Sequence, residues 1–165
     1  MNGKKVPILV GLISFAVLIL GIVIVSKSQP PVLEQIDTVS IEIVDGNSHD
    51  FGEIDIEGGN AEKTFEIKNT GESDLKVTNF KTSCMCTQVK VSINGKDSPI
   101  FGMHARSGWK GIIKPGGTAD IKVLFDPMFH GPQGVGPVTR MISFNTNDSN
   151  NPIIELTLSG NVINK

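Results

Sequence analysis

The stretch Asp120-Ile121-Lys122-Val123-Leu124-Phe125 sets Ile121, Val123 and Phe125 two residues apart, with Asp120 and Lys122 between them. A period of two sends alternate side chains to opposite faces of a pleated strand, one face apolar and the other wet. The same alternation recurs in Ser40-Ile41-Glu42-Ile43, Thr64-Phe65-Glu66-Ile67-Lys68, Asp74-Leu75-Lys76-Val77, Met141-Ile142-Ser143-Phe144 and Ile154-Glu155-Leu156-Thr157-Leu158. Gly58-Gly59-Asn60, Asn69-Thr70-Gly71, Pro115-Gly116-Gly117 and the run from Asn147 to Pro152 separate these segments with turn-forming residues. After Asp37 no window carries a helical stripe. About seven short strands with frequent turns predict an all-β, two-sheet sandwich of immunoglobulin-like type. The segment from Ile93 to Lys114 interrupts the alternation with Gly95, Gly102, Gly108 and Gly111, and reads as a long irregular connection of the kind that often carries function.

Upstream of the domain the chemistry changes. Val6 to Val25 is a 20-residue run without a charge. At about 1.5 Å per residue, such a helix crosses a hydrocarbon core of roughly 30 Å. Lys4 and Lys5 precede it and only Lys27 follows closely, which favours a cytoplasmic N-terminus. The predicted organisation is therefore a cytoplasmic N-terminus over 1–5, a transmembrane anchor over 6–25, a linker over 26–37 containing Gln29-Pro30-Pro31, and an extracytoplasmic domain over 38–165. Ser26-Lys27-Ser28 offers a faint cleavage site and hence a competing signal-peptide reading, but the apolar run is longer than a usual signal core. No cysteine follows the run, which argues against a lipid-modified N-terminus. The expected location is the cell membrane, single-pass, with the domain outside.

Formal net charge is -2 and the lysines are scattered, so no basic stripe marks a nucleic-acid partner. The acids Asp50, Glu53, Asp55 and Glu57 lie close together without a histidine or metal motif and read as a solvated strand face. No nucleophile elbow, phosphate loop or His-Glu-x-x-His pattern occurs, so an enzyme is not expected.

Sulfur and imidazole provide the specific signal. The chain has two cysteines, in Cys84-Met85-Cys86, and two of its three histidines lie beside methionines, in Met103-His104 and Met128-Phe129-His130. On an extended strand, residues two apart share a face with Cα atoms about 6.6 Å apart. At that separation Cys84 and Cys86 could chelate one ion, or form a strained and easily reduced disulfide. Cys84, Cys86, His104 and His130 would satisfy tetrahedral zinc, and Met85, Met103 or Met128 in the shell shifts the preference to copper. Two thiolates, two imidazoles and a thioether are also the side-chain set of a dinuclear electron-transfer copper centre, although the spacing here differs.

Strand parity places Cys84, Cys86 and His130 at one pole of the sandwich, whereas His104 reaches it only if the long glycine-rich segment climbs back. Plainer readings stand beside each ligand. The cysteines could be a simple disulfide or partly buried thiols, Met128-Phe129 a plug at a strand end, and His130-Gly131-Pro132 a turn. Trp109 is expected as a loop cover packed on the core and His49 as a surface residue.

Six blocks also carry a family resemblance: Asp50-Phe51-Gly52-Glu53-Ile54, Phe65 to Gly71, Ser83-Cys84-Met85-Cys86-Thr87, Ile113 to Gly117, Val123-Leu124-Phe125-Asp126-Pro127, and Asn145-Thr146-Asn147-Asp148. In order and spacing, roughly from Val39 to Val162, they resemble the bacterial domain-of-unknown-function 1573 family. That family is related to immunoglobulin-like domains of cilium-associated and major-sperm-protein-like type. The resemblance implies a β-sandwich outside a bacterial membrane and no established activity. Two departures stand out: the family pattern usually places glycine between the cysteines, where this chain has Met85, and the segment holding Met103 and His104 looks longer than usual. The sequence thus predicts a membrane-anchored binding module with a copper site for copper handling or electron transfer. Its alternatives are a metal-free envelope scaffold or protein-interaction domain, and a thiol-disulfide role.

Overall fold

The computed structural model describes residues 12–22 and 32–165. Ten strands follow one another: β1 Ile41–Ile43, β2 Ser48–Asp55, β3 Ala61–Asn69, β4 Leu75–Thr82, β5 Thr87–Ile93, β6 Lys96–Asp97, β7 Lys110–Ile113, β8 Thr118–Phe125, β9 Gly136–Thr146 and β10 Ile153–Ile163. They form two five-stranded sheets, ordered β1-β3-β8-β5-β6 and β2-β10-β9-β4-β7. All pairings are antiparallel except β2 with β10. The expected all-β, immunoglobulin-like sandwich is therefore the observed architecture, with ten strands in place of about seven.

The alternation does the packing. Ile121, Val123 and Phe125 of β8 are buried, as are Phe65 and Ile67 of β3 and Ile142 and Phe144 of β9. Phe80 lies at the centre of the core, stacked 4.6 Å from Phe144 and 5.4 Å from Phe101 between ring centroids, with Trp109 edge-on at 6.0 Å. Offset stacks of this kind add to the burial of the rings themselves. Trp109 is thus the core cover expected of it.

The irregular reading of Ile93 to Lys114 holds for residues 98–109, which form no named strand, and is corrected at the two ends. Asn94 and Gly95, at φ 50° and 74°, make a two-residue hairpin between β5 and β6. Phe101 then bridges back to Val89, and β7 pairs with β4. This segment closes one open side of the sandwich. Gly111 is required there, because a Cβ would come within 2.6 Å of both Ile93 and Trp109 side-chain atoms. Its glycines hide the strand from a pattern search, and pairing with β4 makes it.

One pole, where β3 meets β4 and β9 meets β10, is tied by buried polar side chains. Asn69 donates to the carbonyls of Ser73 and Ile113 and accepts from Gly71 N–H. Asn147 accepts from Lys76 N–H at 2.6 Å and donates to the Asp74 carbonyl at 3.0 Å. Asp148 accepts from Ile41 N–H, Asn150 N–H and the Asn151 amide. The N-terminal segment docks here too, through Ile36 N–H to the Asn147 carbonyl.

Of the expected anchor over 6–25, residues 12–22 are described. They form a helix whose side chains are all exposed. Eleven residues rise only about 16 Å, and among the described residues no helix is long and apolar enough to cross a membrane. The remainder of the anchor, 6–11 and 23–25, lies outside the described residues, as do 1–5 and the linker residues 26–31.

Candidate functional site

At the opposite pole β4 runs up, turns through Ser83 to Cys86, and returns as β5. The turn is held by Thr82, whose hydroxyl donates to the carbonyls of Cys84 and Thr87, and by Thr87 N–H donating to the Cys84 carbonyl. The strand geometry expected for the cysteines is therefore corrected. Because they sit in a turn, their Cα atoms are 5.2 Å apart and the two residues form a disulfide. That separation is in the ordinary range for disulfides, well inside the upper limit anticipated for an extended pair.

The two sulfurs face different surroundings. Cys84 is half-buried, and its Sγ lies 3.4 Å from Nε2 of the exposed His130. Cys86 is buried in a small apolar cluster with Ile54, Ile56, Phe125 and Val162. Its Sγ accepts a hydrogen bond from Arg140 Nε at 3.0 Å and lies 3.7 Å from the Thr87 hydroxyl. Arg140 is held from two other directions: its guanidinium stands 5.3 Å over the Phe125 ring, and Nη1 donates to the Thr139 carbonyl. Partial burial lowers the pKa of this guanidinium from its usual value. It remains protonated at neutral pH, as an arginine with so high a starting value does.

Cys84, Cys86 and His130 thus converge, with potential ligand atoms within 4.8 Å of one another. His130 arrives on the loop after β8, as strand parity requires. His104 does not join them. The long segment does climb back alongside β5, as the Phe101–Val89 bridge shows, but Met103 and His104 then turn outward and are exposed. Met85 and Phe129 line a pocket of about 80 Å³ together with Asn60, Cys86, Gln88, Leu124 and Asp126. Met128 and Phe129 are exposed, so they do not plug the sandwich. His49 is half-buried on β2, edge-on to Phe51 at 4.7 Å.

Arg140 is the residue that the sequence reading missed. Its signal was available: in β9 it shares parity with Val138, Ile142 and Phe144, so a cation stands in phase with the core face. A charge at such a position is rarely buried without a specific partner.

Residues 43–161 match the family model described as HYDIN/CFA65/VesB-like, Ig-like domain. Among solved structures, a protein of unknown function from Porphyromonas gingivalis W83 is similar at TM-score 0.54 and 18% identity, over 82% of this chain and 48% of that one. The chain therefore spans about half the length of that relative. The ASH/PapD-like domain 7 of human CEP192 aligns at TM-score 0.47 and 19% identity, over 83% of this chain and 93% of that one. For the secreted serine protease VesC of Vibrio cholerae the values are 0.46 and 10%, over 76% and 23%. No curated protein matches the chain in sequence.

Proposed function

Because the chain belongs to the HYDIN/CFA65/VesB-like, Ig-like domain family across residues 43–161, we propose that it is a protein-interaction module that meets its partner at the cysteine pole. The observation that carries this reading is the exposed apolar rim there: Met85 is 54% exposed and Phe129 45%, on two loops that line one small pocket, and Met128, next to Phe129 in the chain, is 38% exposed. Apolar side chains grouped on loops and rimmed by polar residues mark contact sites, and methionine adapts readily to the shape of a partner. The narrower assignment, to the bacterial domain-of-unknown-function 1573 family, rests on the motif blocks.

The module is carried outside a bacterial cell membrane on a single-pass anchor over 6–25. Support comes from the helix over 12–22, in which Ser14 is the one polar side chain and every residue is exposed among the described residues, and from a disulfide, which persists in oxidising compartments. The test is a photo-crosslinker placed at Met85 or at Asn150, on the opposite pole, in the full chain in its membrane. A discrete adduct from Met85 alone, lost on Phe129→Ser, is expected. Equal adducts from both poles would sink the reading, and protease shaving of intact cells that spares the domain would sink its location.

Convergence of Cys84, Cys86 and His130 favours a second reading, a metal site formed after reduction, since disulfide sulfurs are not thiolate ligands. Met85 or Met128 in the shell would suit copper better than zinc. His104 and Met103 would then contribute little. Anaerobic titration of the reduced chain with Cu(I) and with Zn(II) tests it: stoichiometric retention lost on His130→Ala, but kept on His104→Ala, is the expected pattern.

A further inference from the structure

We propose that Cys84–Cys86 is a thiol-disulfide exchange site with a built-in direction: an incoming thiolate attacks Cys84, and Cys86 departs as the thiolate held by Arg140. The inference stands on the surroundings of the two sulfurs, independently of any partner bound at the rim. Cys86 is 2% exposed, packed among Ile54, Ile56, Phe125 and Val162 at the floor of the small pocket, whereas Cys84 is only half-buried at the edge of that cluster beside the exposed His130, so Cys84 is the more accessible sulfur.

A thiolate released in that apolar cluster would be disfavoured by burial alone. Arg140 Nε, 3.0 Å from Cys86 Sγ, supplies a charge-assisted hydrogen bond where the negative charge appears. The Phe125 ring and the Thr139 carbonyl hold the guanidinium there before the reaction begins. The sulfur better stabilised as an anion is the better leaving group, so access and electrostatics select the same bond cleavage.

The co-reactant is a dithiol. Its first thiolate forms a bond to Cys84 Sγ while the Cys84–Cys86 bond breaks and the electron pair passes to Cys86. Its second thiolate then attacks its own sulfur in the mixed disulfide, closing a disulfide in the dithiol and expelling Cys84. His130 Nε2, 3.4 Å away, is placed to return a proton to Cys84. Two electrons pass from the dithiol to the domain, and the two protons lost by the dithiol balance those available to Cys84 and Cys86.

Met85 makes the direction measurable, because cyanogen bromide cleaves after methionine and so separates Cys84 from Cys86. The full chain in detergent is treated with excess glutathione, quenched with an alkylating reagent, cleaved and analysed by mass spectrometry. Glutathione is expected on the fragment ending at Met85, with the alkyl group on Cys86. Adducts on Cys86, or no adduct on either cysteine, would overturn the proposal. In a parallel measurement Arg140→Met is expected to slow reduction by dithiothreitol about tenfold, with Arg140→Lys restoring most of the rate. An unchanged rate in a folded Arg140→Met chain would also overturn it, and if that variant fails to fold, the adduct position in the unaltered chain decides.

Discussion

Where β3 turns into β4 and β9 into β10, Asn69, Asn147 and Asp148 are wholly buried, and their side chains are joined to backbone groups of three separate segments. Where β4 turns into β5 and β8 leads to β9, the side chains at the surface are Met85, Met128, Phe129 and His130, and a disulfide spans just two residues. Both poles join the same two sheets, so the fold does not dictate the difference. One pole uses its polar groups on itself, with no buried side-chain nitrogen or oxygen unpartnered among the described residues. The other leaves soft, apolar and ionisable groups free to meet something else. Stability is concentrated at the first pole and available chemistry at the second.

Asn147→Ala is the largest expected break in that contrast. It orphans Lys76 N–H and the Asp74 carbonyl at a buried position, and an unmade buried hydrogen bond costs about 1–3 kcal/mol per group. A loss of about 3 kcal/mol, read from the urea midpoint at unchanged slope, is expected. A loss below about 0.5 kcal/mol would show that this pole is no clamp.

Asp148→Asn comes next, at about 2 kcal/mol, because an amide NH2 would face the donors on Ile41 and Asn151. This position also sets an acid limb. Burial alone would raise the Asp148 pKa, but hydrogen bonds from the Asn151 amide and from the N–H groups of Ile41, Asn150 and Asn151 outweigh it and hold the carboxyl below its usual range. A carboxylate whose folded pKa lies below its unfolded value contributes stability in full above about pH 4, and that contribution is lost as pH falls through the folded pKa. Melting temperature should therefore drop more steeply below about pH 4 in the native chain than in Asp148→Asn.

How much of each pole can be read from sequence follows from how its residues are placed. Ile121, Val123 and Phe125 announce β8 by themselves, because burial on one face leaves a local trace. The strand β2 announces little. Ser48-His49-Asp50-Phe51-Gly52-Glu53-Ile54-Asp55 is an edge with one neighbour, and charges are tolerated on it. Of β6 and β7 almost nothing is visible, since long-range pairing makes them. At the cysteine pole, the shared location of Cys84, Cys86 and His130 follows from strand parity, whereas the failure of His104 to arrive depends on how Phe101 and Trp109 pack beneath its loop. The clamped pole was legible as turns, whose short-range bonds Asn69 and Asp148 make within four residues, but the bonds that tie those turns to other segments cross 44 to 107 residues of sequence and leave no local pattern.

Replacing both cysteines by serine sharpens the comparison from the other side. A disulfide closing so short a loop restrains few unfolded conformations, so the chain-entropy gain is under about 2 kcal/mol. A loss of about 1–2 kcal/mol is expected by chemical denaturation, smaller than that of Asn147→Ala although a covalent bond is removed. A larger loss would make the disulfide a structural staple, and this pole would then serve stability as much as the other does.

The smallest effect is the most telling. Met85→Ser with Phe129→Ser removes two exposed side chains and opens no cavity in the core, and surface substitutions away from special features usually stay within about 0.5 kcal/mol. The melting transition should therefore stay in place while the Met85-pole crosslink disappears. Were the double variant instead to lose more than about 1 kcal/mol, the rim would be packing that the fold requires. Stability and recognition would then not divide between the poles. Removing exposed apolar area can also raise solubility, so a variant that is more soluble, equally stable and unable to bind is the outcome that a surface kept for a partner produces.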